Sequence, residues 1–236
     1  MINKVAIIAS CKERSASLLQ AVKSLYDQVD EIRIAFNGYE EIPDWVKNYS
    51  KIISFLFPVD EYEARAVWLC TKQMGGYILI ADDDIIYPKD YAHKMIGLIE
   101  KYKRKIVVVS HGSALTLPYI KYNKSCVFSH FKFALSKTMR VDIGGVGTLV
   151  YHTDTIKPNI NDFPQSYLRD VQFGILCANK HIDIICINRP DGWLKPIPTI
   201  GDCICNKTDI ILKESLIKEY IIPKIKERKI NVLHSK

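Results

Sequence analysis

No apolar run in this chain of 236 residues approaches the roughly 20 residues that a membrane-spanning helix needs. The first residues, Met1 to Ala9, have neither the long apolar stretch nor the small-residue cleavage site of a secretory signal. The seven cysteines are an odd number without framework spacing, which suits a reducing compartment and argues against a disulfide-stapled domain. Cys203-Ile204-Cys205 is too close and too isolated for a structural zinc site. No Gly-x-Gly-x-x-Gly follows the first strand, which removes a dinucleotide oxidoreductase. No helix-turn-helix, RNA-binding motif or zinc spacing is present, so nucleic acid is not an expected partner. There is no internal repeat and no Ser/Gly linker, which favours one domain.

What is present is an apolar-rich, mildly basic chain: 48% hydrophobic, 25% charged, formal net charge +7. That is ample for a core and too apolar for disorder. Strands are expected at Lys4–Ala9, Glu31–Phe36, Lys51–Phe57, Tyr77–Ala81 and Ile106–Ser110. Helices are expected at Arg14–Tyr26, at Glu61–Met74 with Ala64, Val67, Trp68 and Leu69 on one side, and from about Pro88 to Lys103. This alternation predicts parallel crossovers, a sheet covered on both faces, and chemistry beyond the carboxyl ends of the strands.

The second half is less regular. His111–Ser125 reads as a long loop, Cys126–Leu135 as an alternating strand or hairpin, and Gly144-Gly145-Val146-Gly147 as a pivot before a strand at Thr148–Tyr151. A helix at Leu168–Lys180, a strand at Ile182–Ile187, a Gly/Pro-rich coil and a basic amphipathic tail from Asp209 complete the chain.

Asp82-Asp83-Asp84 follows directly on the most apolar strand. Adjacent carboxylates at the mouth of a parallel sheet repel one another, and a divalent cation removes that repulsion. An oxygen-only set that also meets phosphates suits Mg2+ or Mn2+. A solvated turn with one Asp capping the next helix is the structural alternative.

The stretch GGYILIADDDIIYPKDY resembles the DxD region of GT-A-fold glycosyltransferases, nearest to bacterial family 2-like enzymes of surface-polysaccharide type. SCKERSASLLQAVKSLYDQVDEIRIAFNG, GGVGTLVYHTD, DFPQSYLRDVQFG and RPDGWLKP resemble the same group in the same order, over about residues 1–200. The resemblance implies an α/β fold of GT-A type: a single domain with a mostly parallel central sheet, helices on both faces, a smaller acceptor-side sheet and a C-terminal helical tail. The boundaries read as 1–208 for the transferase domain, with 1–110 as nucleotide-sugar half and 111–208 as acceptor half, and 209–236 as the tail.

The implied donor is a nucleotide-diphosphate sugar, expected to be UDP-linked, and the implied acceptor a glycan or lipid-linked glycan. Ser10, Arg14 and Arg65 are implied donor contacts; a helix cap and solvated helix charges would account for the same residues. Relatives carry a base-reading aspartate where this chain has Asn37, whose amide offers different donors and acceptors. Asp82 and Asp83 are implied contacts to ribose and metal, with Asp84 and Asp82 as the metal ligands. Asp170 matches the catalytic carboxylate of inverting members, although Arg169 stands where most have an acidic residue. His111, Gly145, Thr148 and Trp193 are implied to shape the sugar and acceptor pocket; turn formation and core packing are their structural alternatives.

The expected activity is metal-dependent, inverting transfer by a hexosyltransferase-type enzyme. A sugar nucleotidyltransferase is the nearest rival, but SCKERS lacks the glycine-rich loop of that group. A haloacid-dehalogenase-type phosphatase carries its DxD on the first strand, not the fourth. A non-catalytic carbohydrate-binding scaffold remains the alternative from another class. The segment Lys213–Lys236 carries seven Lys/Arg against three Glu, a net of +4, together with Leu216, Ile217, Tyr220, Ile221, Ile222 and Ile225. It suits either peripheral contact with an anionic membrane face or packing on the domain. The expected location is cytoplasmic.

Overall fold

The computed structural model describes residues 3–72, 74–199 and 209–227. Strands β1 (Lys4–Cys11), β2 (Glu31–Asn37), β3 (Ile52–Phe57) and β4 (Tyr77–Ala81) are followed by β5 (Ile85–Ile86), β6 (Ile106–Val109) and β7 (Gly112–Leu115). Then come β8 (Cys126–Ser129), β9 (Met139–Val141), β10 (Ile143–Gly144), β11 (Thr148–His152), β12 (Asp183–Cys186) and β13 (Lys195–Pro196). The helices are α1 (Ser15–Leu25), α2 (Tyr91–Lys101), α3 (Arg169–Asn179) and α4 (Ile210–Leu216), the last continuing as a π-helical turn, Ile217–Ile221, and a further turn over 222–227.

The central sheet has eight strands in the order β3-β2-β1-β4-β11-β6-β12-β9. The pairs β3–β2, β2–β1, β1–β4 and β6–β12 are parallel. Strand β11 runs antiparallel between β4 and β6, with Thr148 opposite Ala81 and His152 opposite Tyr77. Alternate residues of the strands feed two cores. Ala6, Ile8, Ile32, Ile34 and Leu79 meet α1 and α2; Val5, Ile7, Ile78 and Ile80 meet Trp68 and the α3 residue Phe173. Both faces are therefore covered, as the alternation requires. A second sheet, β10-β7-β8, stands beside the first, and β13-β5 forms a short ribbon.

Three local expectations change, and the tail takes one of its two expected placements. Residues Glu63–Thr71 form a 3-10 segment, not an α-helix. The tighter turn rotates the buried set to Ala66, Val67, Trp68 and Cys70 and leaves Ala64 and Leu69 only half-buried. Helix α2 begins at Tyr91, because Pro88 and Asp90 are spent on a preceding turn in which Tyr91 N donates to Pro88 O at 2.9 Å. The span read as a loop after His111 holds β7 and a 3-10 turn, Tyr122–Lys124; its partner β8 lies over ten residues downstream, a pairing that local pattern does not reveal. In the tail, Ile217, Ile221, Ile222 and Ile225 pack on Leu115, Ile143 and Val171. That apolar face covers the domain, while Tyr220, Ile210 and Ile211 stay exposed. No helix among the described residues is long and apolar enough to cross a membrane. Cys203 and Cys205 lie outside the described residues.

Candidate active site

A cleft of about 710 Å3 opens beyond the carboxyl ends of β1, β2 and β4. Ser10, Arg14, Asn37, Asp82, Asp83, Asp84, His111 and Asp170 all line it. The antiparallel insertion of β11 explains how residues from both halves meet. The start of β11 lies beside the end of β4, so the glycine turn before β11 touches the aspartate run after β4.

The run is held by backbone and by two guanidinium groups. Asp82 N donates to Gly147 O at 3.1 Å and to Tyr87 Oη at 2.8 Å, and Tyr87 Oη donates to Gly147 O at 2.8 Å. Complete burial raises the Tyr87 phenol well above its ordinary pKa, so it stays a donor. A Cβ on Gly147 would lie 1.7 Å from Asp82 Oδ2, so only glycine leaves room for that carboxylate. Arg169 Nη2 donates to Asp82 Oδ1 at 2.6 Å; Arg14 Nη1 donates to Asp83 Oδ1 at 3.0 Å and reaches Asp84 Oδ2 at 3.4 Å. Burial raises the pKa of Asp83, against Ser10 and Arg14, which lower it. Burial and the neighbouring charges of Asp82 and Asp83 push Asp84 up as well.

Across the cleft, Asp170 opens α3 and its Oδ1 accepts a hydrogen bond from Val146 N at 2.9 Å. Arg169, in the position where an acidic residue is usual, turns its side chain to Asp82. Asn37 is buried; its Nδ2 donates to Glu63 O at 2.8 Å, while its Oδ1 has no hydrogen-bond partner among the described residues. His111 is edge-on to Phe128, with ring centroids 4.9 Å apart, and burial lowers its pKa, so the ring is neutral at pH 7.

Four predicted contacts lie elsewhere. Gly145 and Thr148 stand behind the cleft wall. Gly145 N donates to His111 O at 2.8 Å, and Thr148 Oγ1 accepts from Ser110 N at 3.1 Å and donates to Gly145 O at 3.2 Å. They position the His111 turn, because β11 is buried from its first residue. Arg65 donates to the carbonyls of Glu61, Phe163 and Pro164, so its charge is spent tethering the loop that leads to α3. Trp193 borders a separate cavity between α1 and α2, where its Nε1 donates to Asp90 Oδ1 at 2.9 Å and its ring packs by Tyr91.

Sequence reasoning missed the roles of Tyr87 and Lys213 and the partner, Asp82, that Gly147 admits. Tyr87 was inside the quoted DDDIIYP unit, and Gly147 inside the glycine pivot. Nothing in the tail marks Lys213, which enters the cleft from α4. Among the described residues, no three His, Cys, Asp or Glu side chains are gathered as a metal-binding group.

A mostly parallel sheet with an acidic turn after its fourth strand, split by the antiparallel strand β11 and edged by the antiparallel β9, defines an α/β fold of GT-A type. The family model for glycosyl transferase family 2 matches residues 5–152, from β1 to the last residue of β11. The chain belongs to glycosyl transferase family 2, and that membership supports glycosyl transfer. Solved structures share the fold. GalNAc-T7, crystallised with UDP, GalNAc and Mn2+, superposes with a TM-score of 0.54 at 11% identity, over 82% of this chain and 45% of its own. The chain thus spans under half of that protein's length. A CMP:2-keto-3-deoxy-manno-octonic acid synthetase complexed with CTP gives a TM-score of 0.50 at 12% identity, over 92% and 99%. No curated protein sequence matches the chain.

Proposed function

We propose that the chain transfers a sugar from a nucleotide-diphosphate donor to a hydroxyl of a glycan or lipid-linked glycan, with inversion and with the help of a divalent cation. The observation that carries this reading is the single cleft lined on one side by Asp82, Asp83 and Asp84 and on the other by Asp170. Asp170 is the proposed general base: it takes the proton of the acceptor hydroxyl as that oxygen attacks the anomeric carbon and the nucleoside diphosphate leaves on the opposite side. The Val146 N–H fixes the carboxylate for that task.

The donor set fits Mn2+ or Mg2+. It is hard oxygen only, and Asp84 and Asp82 are the residues that would hold the ion. A bound cation would stabilise negative charge on the departing diphosphate. Asn37 Oδ1 is a buried acceptor without a partner among the described residues, which suits an imide N–H such as that of uracil and supports a UDP-linked donor. Surface-polysaccharide synthesis at the inner face of the membrane is the setting we infer from the resemblance of the motifs.

A thermal-shift panel of nucleotide sugars with Mn2+ tests the donor, since a ligand that binds the native state raises its apparent stability. UDP-sugars are expected to raise Tm most, and donor hydrolysis is expected to release UDP slowly without acceptor. Release of pyrophosphate from a nucleoside triphosphate and a sugar phosphate would instead identify a nucleotidyltransferase. A product that keeps the donor's anomeric configuration would rule out the single displacement.

A further inference from the structure

Lys213 stands on α4, beyond the stretch that the family model matches, yet its side chain lines the same cleft as Asp170. The other two cleft cations are spent: Arg14 on Asp83 and Asp84, Arg169 on Asp82. Among the described residues, Lys213 is ion-paired with no carboxylate. It is held in place all the same. Its Nζ lies 3.6 Å from the centroid of the Tyr122 ring. Tyr122 is locked by its Oη against Ser113 Oγ at 2.6 Å and by its N–H to Glu214 Oε1 at 2.7 Å. Tyr119 Oη donates to the other Glu214 oxygen at 2.8 Å. Glu214 thereby clamps α4 to the connection between β7 and β8, one residue from the lysine.

The position of the ammonium says which substrate it meets. Its seat over Tyr122, whose hydroxyl is held by Ser113 of β7, puts it against the β7–β8 sheet, the side of the cleft that the glycosyl-transfer reading gives to the acceptor, and away from the arginine-bound aspartate run. Burial lowers its pKa, while Asp170, Cys126 and Glu214 raise it. An acidic acceptor moving toward Asp170 meets like-charge repulsion, and a fixed, half-buried cation beside that carboxylate offsets it. In the same cleft Phe128 is 52% exposed, offering a face on which a sugar ring can stack.

We propose that Lys213, with Tyr122, Asn123 and Phe128, forms an acceptor subsite for a sugar that carries a carboxylate or phosphate group. This rests on the glycosyl-transfer reading of the cleft. Both anionic groups share the chemistry of a charge-assisted hydrogen bond to an ammonium.

Saturation-transfer NMR on the full chain with UDP and Mn2+ present tests it, using methyl β-glucuronide, glucose 6-phosphate and methyl β-glucoside as probes. The wild type is expected to prefer one anionic probe over the neutral glucoside by about tenfold, the worth of one charged contact. Lys213→Met keeps the aliphatic stem over Tyr122 and removes the charge; it is expected to abolish the preference, and Lys213→Arg to retain it. UDP affinity is expected to be the same in all three proteins, which also certifies their folding. The proposal is overturned if the wild type shows no preference, or if the preference survives in Lys213→Met. It is also overturned if Lys213→Met weakens UDP instead, which would assign the cation to the donor's diphosphate. A wild type that prefers the anionic probes but binds neither UDP nor any nucleotide sugar would leave the subsite standing and remove the glycosyl-transfer reading.

Discussion

Asp82 is fixed from three directions: its backbone by Gly147 and Tyr87, its carboxylate by Arg169, and the space around it by the missing side chain at Gly147. Gly147→Ala drives a methyl group into that carboxylate. It is expected to lower stability by about 1–3 kcal/mol, the usual cost of overpacking, and to impair nucleotide binding; urea unfolding and a UDP titration measure the two effects. At Asp84, removal of the carboxylate is expected to abolish transfer while the fold persists, read by circular dichroism alongside turnover. Asp170→Asn keeps an acceptor for the Val146 N–H but cannot take a proton, so turnover should fall about 10²–10⁴-fold with donor affinity kept. Steady-state kinetics with a donor-binding assay separates those outcomes. The aspartate run was legible because it follows an apolar strand and precedes a proline. The roles of Tyr87 and Arg169 were not, because each depends on a partner brought near by β11 or α3. Arg169 and Asp82 are 87 residues apart, and sequence spacing carries no trace of such a contact.

At the scale of elements, the strands and α1, α2 and α3 followed from periodicity, since each buries one face against the sheet. The segment Glu63–Thr71 did not. Its apolar residues fit an α-helical stripe on paper, but Trp68 stacks on Phe163, with ring centroids 4.4 Å apart, and the wider packing selects the 3-10 turn. For Trp193 the sequence left sugar stacking and core packing open, and only the tertiary position of α2 shows it packed beside Tyr91. The second sheet, β10-β7-β8, was only partly legible, because its pairings join short segments across a long connection. Helix α4 depends on Glu214, which accepts from Tyr119 Oη and Tyr122 N. Glu214→Ala strands both donors and is expected to cost about 1–3 kcal/mol. In limited proteolysis the first new cleavage should fall in the tail; an unchanged digestion pattern would deny the clamp.

For the molecule as a whole, the +7 charge is unevenly placed, and the cleft is acidic within a basic chain. Acid sensitivity has an identifiable contributor. Burial first, then the charges of His111, Lys132 and Arg189, hold His130 down to about 4. Between the ordinary histidine value of 6.5 and that value, the unfolded chain binds the proton and the folded chain does not. The contribution of His130 to stability is therefore intact above pH 6.5 and falls as pH drops toward 4. The loss of Tm between pH 7 and pH 5 should be smaller in His130→Gln than in the wild type, as scanning calorimetry would measure. An equal loss in both would clear this residue.

The placement of β11 also bears on how the chain is made. Strands β3, β2, β1 and β4 can assemble in parallel as soon as residue 81 has left the ribosome. Strand β6 has no seat beside β4, because that seat belongs to β11, which is synthesised some 40 residues later. A growing chain must therefore carry the apolar run Ile106–Val109 unpaired until residue 152 emerges, and the same event closes Gly147 onto Asp82. The joining of β6 to the parallel strands and the closing of Gly147 onto Asp82 are one step of synthesis, and β12, Arg169 and Asp170 are added to that frame afterwards.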